Sequence, residues 1–88
     1  MKRQDVYKAV DSERDYVEDL EKNDINSHVV ENFPLGSAIS AIKYNMNKAQ
    51  EAWYSETQPN HEVSMEYIRK VAGICVKMGE KYGMPSRK

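Results

Sequence analysis

Two short stretches of this chain place a tyrosine beside basic side chains at helical spacing. Lys48 follows Tyr44 by four residues, and Arg69 and Lys70 follow Tyr67 by two and three. Residues three or four apart share one face of a helix. Lysine and arginine bind phosphate, and tyrosine can stack on a ring or donate its hydroxyl group. These residues favour an anion-binding site, whereas the alternatives are separate surface cations and a protein interface.

Two further arginines are candidates for the same site. Arg14 lies in the first predicted helix and either joins the site or pairs with Glu13 or Glu51. Arg87 lies in the basic C-terminal tail. An arginine guanidinium group is suited to phosphate because its planar fork forms two parallel hydrogen bonds. We therefore include both arginines among the candidate ligand-binding residues.

Carboxylates offer a second kind of chemistry. Asp11, Asp15 and Glu18 share one stripe of the first predicted helix. Hard cations bind clustered carboxylates, but a solvated helix face is the simpler interpretation of such a stripe. The sequence contains no P-loop, no nucleophile elbow and no Cys/His metal-binding spacing. We therefore assign no metal, no cofactor and no catalytic residue.

Helical periodicity predicts the elements that position these residues. Apolar spacing and Gly, Pro and Asn breakers predict helices over about residues 4–22, 37–55 and 60–82, followed by a basic tail over residues 83–88. Ser37 is the predicted N-cap of the second helix. At 88 residues the chain is one domain.

The apolar residues predict more buried surface than three helices can cover. The predicted core face of the second helix is a stripe with three-four spacing, which comprises Ile39, Ile42, Met46, Ala49 and Trp53. The third helix is apolar almost all round from Val71 to Met78, which indicates burial on more than one side. The predicted fold is therefore an all-α, three-helix domain that assembles into an oligomeric helical bundle as a homo-oligomer.

Composition limits the possible partners. The net charge is −1, whereas a general DNA-binding domain is basic overall. The charge is uneven, with five basic and eight acidic side chains in residues 1–24 and six and three in residues 61–88. Cys75 is the only cysteine, and no apolar run reaches the roughly 18 residues of a membrane span. We expect no membrane partner, no general DNA binding and a cytoplasmic location.

Three segments together resemble a group of small phage and prophage proteins. They are SERDY at residues 12–16, NKAQEAW at 47–53 and IRKVAGICVKMGEKYGMPSR at 68–87. This group distantly resembles the MazG-like superfamily of all-α nucleotide pyrophosphohydrolases. In that superfamily, two helices carry four acidic residues that hold Mg²⁺ on a nucleotide triphosphate. The resemblance implies an oligomeric helical bundle in the cytoplasm of a bacterial host.

The acidic motifs of that superfamily are absent here. Tyr44, Asn45 and Lys48 stand where the first motif has glutamates, and Tyr67 and Lys70 stand where the second has acids. Metal-assisted hydrolysis needs carboxylates to hold the ion. The resemblance therefore implies a pocket that binds phosphate without cleaving it.

The leading hypothesis is a non-enzymatic, phage-type protein that binds a nucleotide-like small-molecule anion. Such a protein could act as a sponge that sequesters a nucleotide signal of bacterial antiviral defence, an analogy of size and charge rather than of motif. One alternative is an inhibitor of a host factor that acts through protein contacts. The other is a divergent MazG-like pyrophosphohydrolase that uses Glu13, Glu51 and Glu66.

Overall fold

The helical architecture agrees with the prediction from the sequence. A computed structural model describes residues 1–23, 34–55 and 60–87. These residues form α1 (Arg3–Asn23), α2 (Leu35–Trp53) and α3 (His61–Tyr82), and no β-strand is found among them. Over these residues, the all-α, three-helix prediction is confirmed. No helix in this part of the chain is long and apolar enough to cross a membrane.

Local signals account for most of the helix ends. Asn60 is the N-cap of α3, where its side-chain oxygen accepts a hydrogen bond from Val63 N at 3.1 Å. Gly83 ends α3 with a φ of +81°, a conformation that glycine adopts readily. The prediction that Ser37 caps α2 is wrong, because Pro34 is the N-cap and makes no side-chain cap bond. The predicted breaker segments fall largely at 24–33 and 56–59, and these, like residue 88 of the tail, lie outside the described residues.

The third helix lies between the other two. The direction of α2 is antiparallel to α3, because Ala49 contacts Ser64 and Trp53 stacks near His61. Helix α1 also packs against α3. Among the described residues, no Cα atom of α1 lies within 8 Å of a Cα atom of α2. A groove therefore runs between α1 and α2, with α3 as its floor.

Ion pairs join α1 to α3 in a parallel orientation. Glu13 pairs with Arg69 at 3.4 Å, and Glu21 pairs with Lys77 at 2.6 Å. The eight-residue step is the same on both helices, which fixes them as parallel. Gly73 allows α1 to approach closely, since a Cβ atom there would lie 3.0 Å from Cγ of Glu13.

The apolar core is thin. Within residues 1–23, 34–55 and 60–87, the buried hydrophobic residues are Ala38, Ala49 and Met78. The stripe predicted as the core face of α2 is largely exposed to solvent. The exposed fraction is 50% for Ile39, 43% for Met46 and 39% for Trp53. Those three residues were therefore wrongly predicted as core. The physical reason is that α2 contacts α3 through its small alanines, so the larger side chains lie to one side of the contact.

Candidate functional site

Four of the predicted ligand-binding residues form two tyrosine–lysine pairs. On α2, Lys48 Nζ lies 5.6 Å from the centroid of the Tyr44 ring. On α3, Lys70 Nζ lies 5.0 Å from the centroid of the Tyr67 ring. Both distances are within the range of a cation–π interaction. Each helix therefore holds a cation against its own phenol ring, through the spacing that the sequence revealed.

The electrostatic surroundings of Lys48 link the two pairs. Glu51 Oε2 lies 3.4 Å from Lys48 Nζ, and this carboxylate raises the pKa of Lys48 above its ordinary value of 10.5. Tyr44 and, to a smaller extent, Tyr67 raise the same pKa. Tyr67 therefore lies within electrostatic reach of Lys48 across the antiparallel helix pair. We refer to Tyr44, Lys48, Tyr67 and Lys70 as the Tyr–Lys cluster.

Arg69 contacts a different helix. Its Nε atom donates to Glu13 Oε2 at 3.4 Å, and the Glu13 side chain is mostly buried. This contact directs Arg69 toward α1, whereas Lys70 lies over Tyr67 on the side of α2. Of the two adjacent cations, Lys70 is therefore the one that joins the cluster.

Arg14 is buried in the groove between α1 and α2. It is 8% exposed, its Nη2 atom lies 3.5 Å from Glu18 Oε1, and its Nε atom lies 3.8 Å from Glu80 Oε1. These two acids are its ion-pair partners, and not the predicted Glu13 or Glu51. In the part of the chain that the structure describes, Arg14 Nε has no hydrogen-bond partner. It is therefore a donor held inside the groove.

Arg87 is remote from the Tyr–Lys cluster. The end of α3 at Tyr82 lies about 22 Å along the helix from Tyr67. Met84, just beyond that end, packs back on Gly79 with its Cε atom 3.3 Å from the position of a Cβ there. Arg87 is exposed in the same segment. The length of α3 therefore separates Arg87 from Tyr67 and the Tyr–Lys cluster.

The groove extends the candidate site toward α1. Its volume is about 390 Å³, within the usual size range of small-molecule pockets. Arg14 lines it from α1, Ala41 and Asn45 from α2, and Lys70 and Gly73 from α3. Lys70 belongs to both the groove and the Tyr–Lys cluster, so the two are continuous. Neither Asn45 nor Gly73 was among the predicted ligand-binding residues, although a glycine inside a helix is a signal of close approach.

The carboxylates are engaged in ion pairs rather than clustered. No group of three or more His, Cys, Asp or Glu side chains that could hold a metal occurs among the described residues. Glu13 is paired with Arg69, and Glu51 is paired with Lys48. The stripe of Asp11, Asp15 and Glu18 therefore shows the geometry of a helix surface, with Glu18 turned to Arg14.

Comparison of the chain with known families and proteins adds no relative. No family model, no characterised protein and no solved structure matches it. The resemblance to phage proteins and to the MazG-like superfamily therefore stays a prediction.

Proposed function

We propose that this chain is a non-enzymatic, phage-type nucleotide-binding protein that sequesters a nucleotide signal of bacterial antiviral defence. The observation that carries the proposal is the Tyr–Lys cluster. It supplies two cations and two phenol rings on neighbouring helices. A ligand that combines phosphate with an aromatic ring is complementary to both.

The charge balance of the cluster favours binding to anions. Lys48 carries its charge at neutral pH, because its pKa is ordinarily 10.5 and Glu51 raises it further. Lys70 has no ion-pair partner among the described residues and lies in an exposed position. A phosphate between these side chains is therefore close to Lys48, whose charge is partly neutralised by Glu51, and to Lys70, whose charge is not. Tyr44 and Tyr67 can each donate a hydroxyl group to it.

Binding without turnover is consistent with the role of a sponge. A sequestering protein needs a stable complex with its ligand and gains nothing from cleaving it. In this proposal Lys48 and Lys70 supply the positive charge that Mg²⁺ supplies in a pyrophosphohydrolase. Both side chains are donors only, so neither accepts a proton from an attacking water while it is charged.

Thermal denaturation against a nucleotide panel tests this function. The panel contains mononucleotides, nucleoside triphosphates, cyclic dinucleotides and ADP-ribose. A ligand that binds the folded state raises the melting temperature by mass action. We expect at least one compound to do so, and we expect the Lys48→Ala/Lys70→Ala variant to lose the shift.

The control variant is Lys43→Ala/Lys81→Ala. It removes the same charge from the same two helices, and it includes a lysine over a tyrosine outside the cluster, since Lys81 lies 5.4 Å from the Tyr82 ring. We expect it to keep the shift. The absence of any shift at millimolar nucleotide, or an equal loss in both variants, would contradict the proposal.

We also propose that the chain is a homo-oligomer. Ile39, Met46 and Trp53 repeat every seven residues on α2 and remain 39–50% exposed, which is the spacing of a helix that packs against a partner helix. A second copy of the chain is therefore the expected partner of this face.

The same exposed face supports the second candidate function, inhibition of a host factor through protein contacts. Met46, Trp53 and Met65 are all more than a third exposed and line one depression between α2 and α3. Co-purification of a host polypeptide would favour this candidate if Lys48→Ala/Lys70→Ala left it unchanged. Loss of the polypeptide in that variant would place its binding at the Tyr–Lys cluster and not at this apolar face.

A further inference from the structure

We infer that the groove between α1 and α2 receives the neutral aromatic ring of the ligand while its phosphate stays at Lys48 and Lys70. This inference rests on the proposed nucleotide binding and adds which part of the ligand each surface recognises. The base would then be read by Arg14 and Asn45 inside the groove.

The position of the groove is the first argument. It opens beside the Tyr–Lys cluster, because Lys70 lines the groove and also lies over the Tyr67 ring. A ligand with its phosphate at Lys70 therefore has the groove within reach of its next group. The volume of about 390 Å³ is that of a pocket that takes a small ligand. Ala41, Gly73 and Ile74 give it small or apolar surfaces.

The charges in the groove are the second argument, and they exclude phosphate from its interior. Glu13 is paired with Arg69 and Glu21 with Lys77. Arg14 is near two carboxylates, at 3.5 Å and 3.8 Å, so its charge is already balanced. An anion that moved past Lys70 into the groove would meet these acids, and the cations there are already paired. A neutral ring is the chemistry that fits.

Hydrogen-bonding groups in the groove are the third argument. The side chain of Arg14 is nine-tenths buried, and its Nε–H has no acceptor among the described residues. A buried donor without an acceptor is costly, and a ring nitrogen or ring carbonyl would satisfy it. Asn45 Nδ2 donates to Ala41 O at 2.8 Å, which leaves the amide oxygen to accept from a ligand. A nucleobase offers both kinds of partner.

Calorimetric titration of the full chain tests the inference. The probes are AMP, GMP, CMP, UMP and ribose 5-phosphate, which has the phosphate and the sugar but no base. We expect at least one mononucleotide to bind about tenfold more tightly than ribose 5-phosphate. Ala41→Phe fills the groove. It should lower the affinity for that nucleotide to the affinity for ribose 5-phosphate, and it should leave the affinity for ribose 5-phosphate unchanged.

The matched control is Ala9→Phe, because Ala9 lines a different depression on the other side of the α1–α3 pair. It should keep the preference for the nucleotide. If Ala41→Phe does not fold, Arg14→Lys replaces it as the test, because it keeps the charge and removes the Nε donor. Arg14→Lys should also abolish the preference.

Two results would overturn the inference while leaving nucleotide binding in place. One is equal affinity for ribose 5-phosphate and all four mononucleotides. The other is a preference that survives in Ala41→Phe or, if that variant does not fold, in Arg14→Lys. If none of the probes binds and the whole nucleotide panel gives no thermal shift, the proposed function fails together with this inference.

Discussion

At the scale of single residues, Glu51 determines how strongly Lys48 can bind an anion. Its carboxylate forms an ion pair with Lys48 Nζ at 3.4 Å. It therefore competes with a phosphate for the same ammonium group. Glu51→Gln removes this competing charge. We expect it to increase nucleotide affinity about twofold to threefold, a small effect because both side chains are exposed to solvent. Calorimetric titration of the wild type and the variant measures the change.

The control for this variant is Glu62→Gln, which removes an exposed acid from the first turn of α3 and should leave the affinity unchanged. Weaker binding in Glu51→Gln would contradict the assigned role. The same variant separates binding from hydrolysis, because Mg²⁺-dependent cleavage of a nucleoside triphosphate that Glu51→Gln abolishes would instead support the pyrophosphohydrolase alternative.

The pKa of Lys48 sets the pH range over which its pair with Glu51 persists. Because Glu51 raises this pKa in the folded state, the pair's contribution to stability is fully present below the ordinary value of 10.5. It is lost as the pH rises through the raised pKa. Lys48 therefore stays a cation throughout the physiological range, and its titration does not change nucleotide binding there.

The sequence predicts some contacts of the site and misses others for a physical reason. Spacing within one helix places Lys48 with Tyr44 and Lys70 with Tyr67. Glu18 follows Arg14 by four residues, so local spacing does contain that pair. Arg14 also reaches Glu80, and Arg69 reaches Glu13, on another helix. Local spacing contains no information on these contacts between helices, which depend on the parallel packing of α1 on α3.

At the scale of the helices, two glycines differ in backbone conformation, and we expect substitution by alanine to change the stability of the protein in opposite directions. Gly83 has a φ of +81°, which L-residues with a Cβ rarely adopt. Gly36 lies in the first turn of α2 with no atom within 4 Å of an added Cβ. We expect Gly83→Ala to destabilise the protein by about 1 kcal/mol, and Gly36→Ala to stabilise it by up to about 1 kcal/mol.

Urea denaturation at one protein concentration measures both glycine variants. Each variant is the control for the other, since the substitution is identical and only the backbone conformation differs. A change of the same sign in both would show that the backbone argument is wrong.

The ends of the helices were predictable where a residue has one strong conformational preference. Asn60 and Gly83 are such residues, and they begin and end α3 as the sequence indicates. The prediction for Ser37 was wrong because α2 begins earlier, after Pro34. The φ of Pro34 is already close to the helical value, and the missing N–H of a proline costs nothing at the start of a helix.

At the scale of the whole molecule, the apolar pattern predicts which residues avoid water but not what covers them. Ile39, Met46 and Trp53 have the spacing of a core stripe, and the same spacing also fits an interface between two copies. Within one chain, α3 covers Ala38 and Ala49 and leaves the larger side chains exposed. The number of copies therefore cannot be read from helical periodicity alone.

Substitution at the centre of this face tests the proposed assembly. Met46 is 43% exposed and lies between Ile39 and Trp53 on the stripe, so Met46→Glu puts a charge where a second copy would pack. Burial of an unpaired charge is strongly unfavourable. We expect the wild type to sediment as an oligomer in analytical ultracentrifugation and Met46→Glu to sediment as a smaller species. Its melting temperature should also lose its dependence on protein concentration.

The matched control is Ser40→Glu, an equal charge change at an exposed position of α2, where Ser40 Oγ donates only to Gly36 O of its own helix. This variant should assemble as the wild type does. A wild type that sediments as a monomer at every concentration would contradict self-association. If Met46→Glu forms the same oligomer as the wild type, the interface must lie on another face. In the second case the apolar surface around Met46 would remain open, and contact with a host protein would become the better explanation for it.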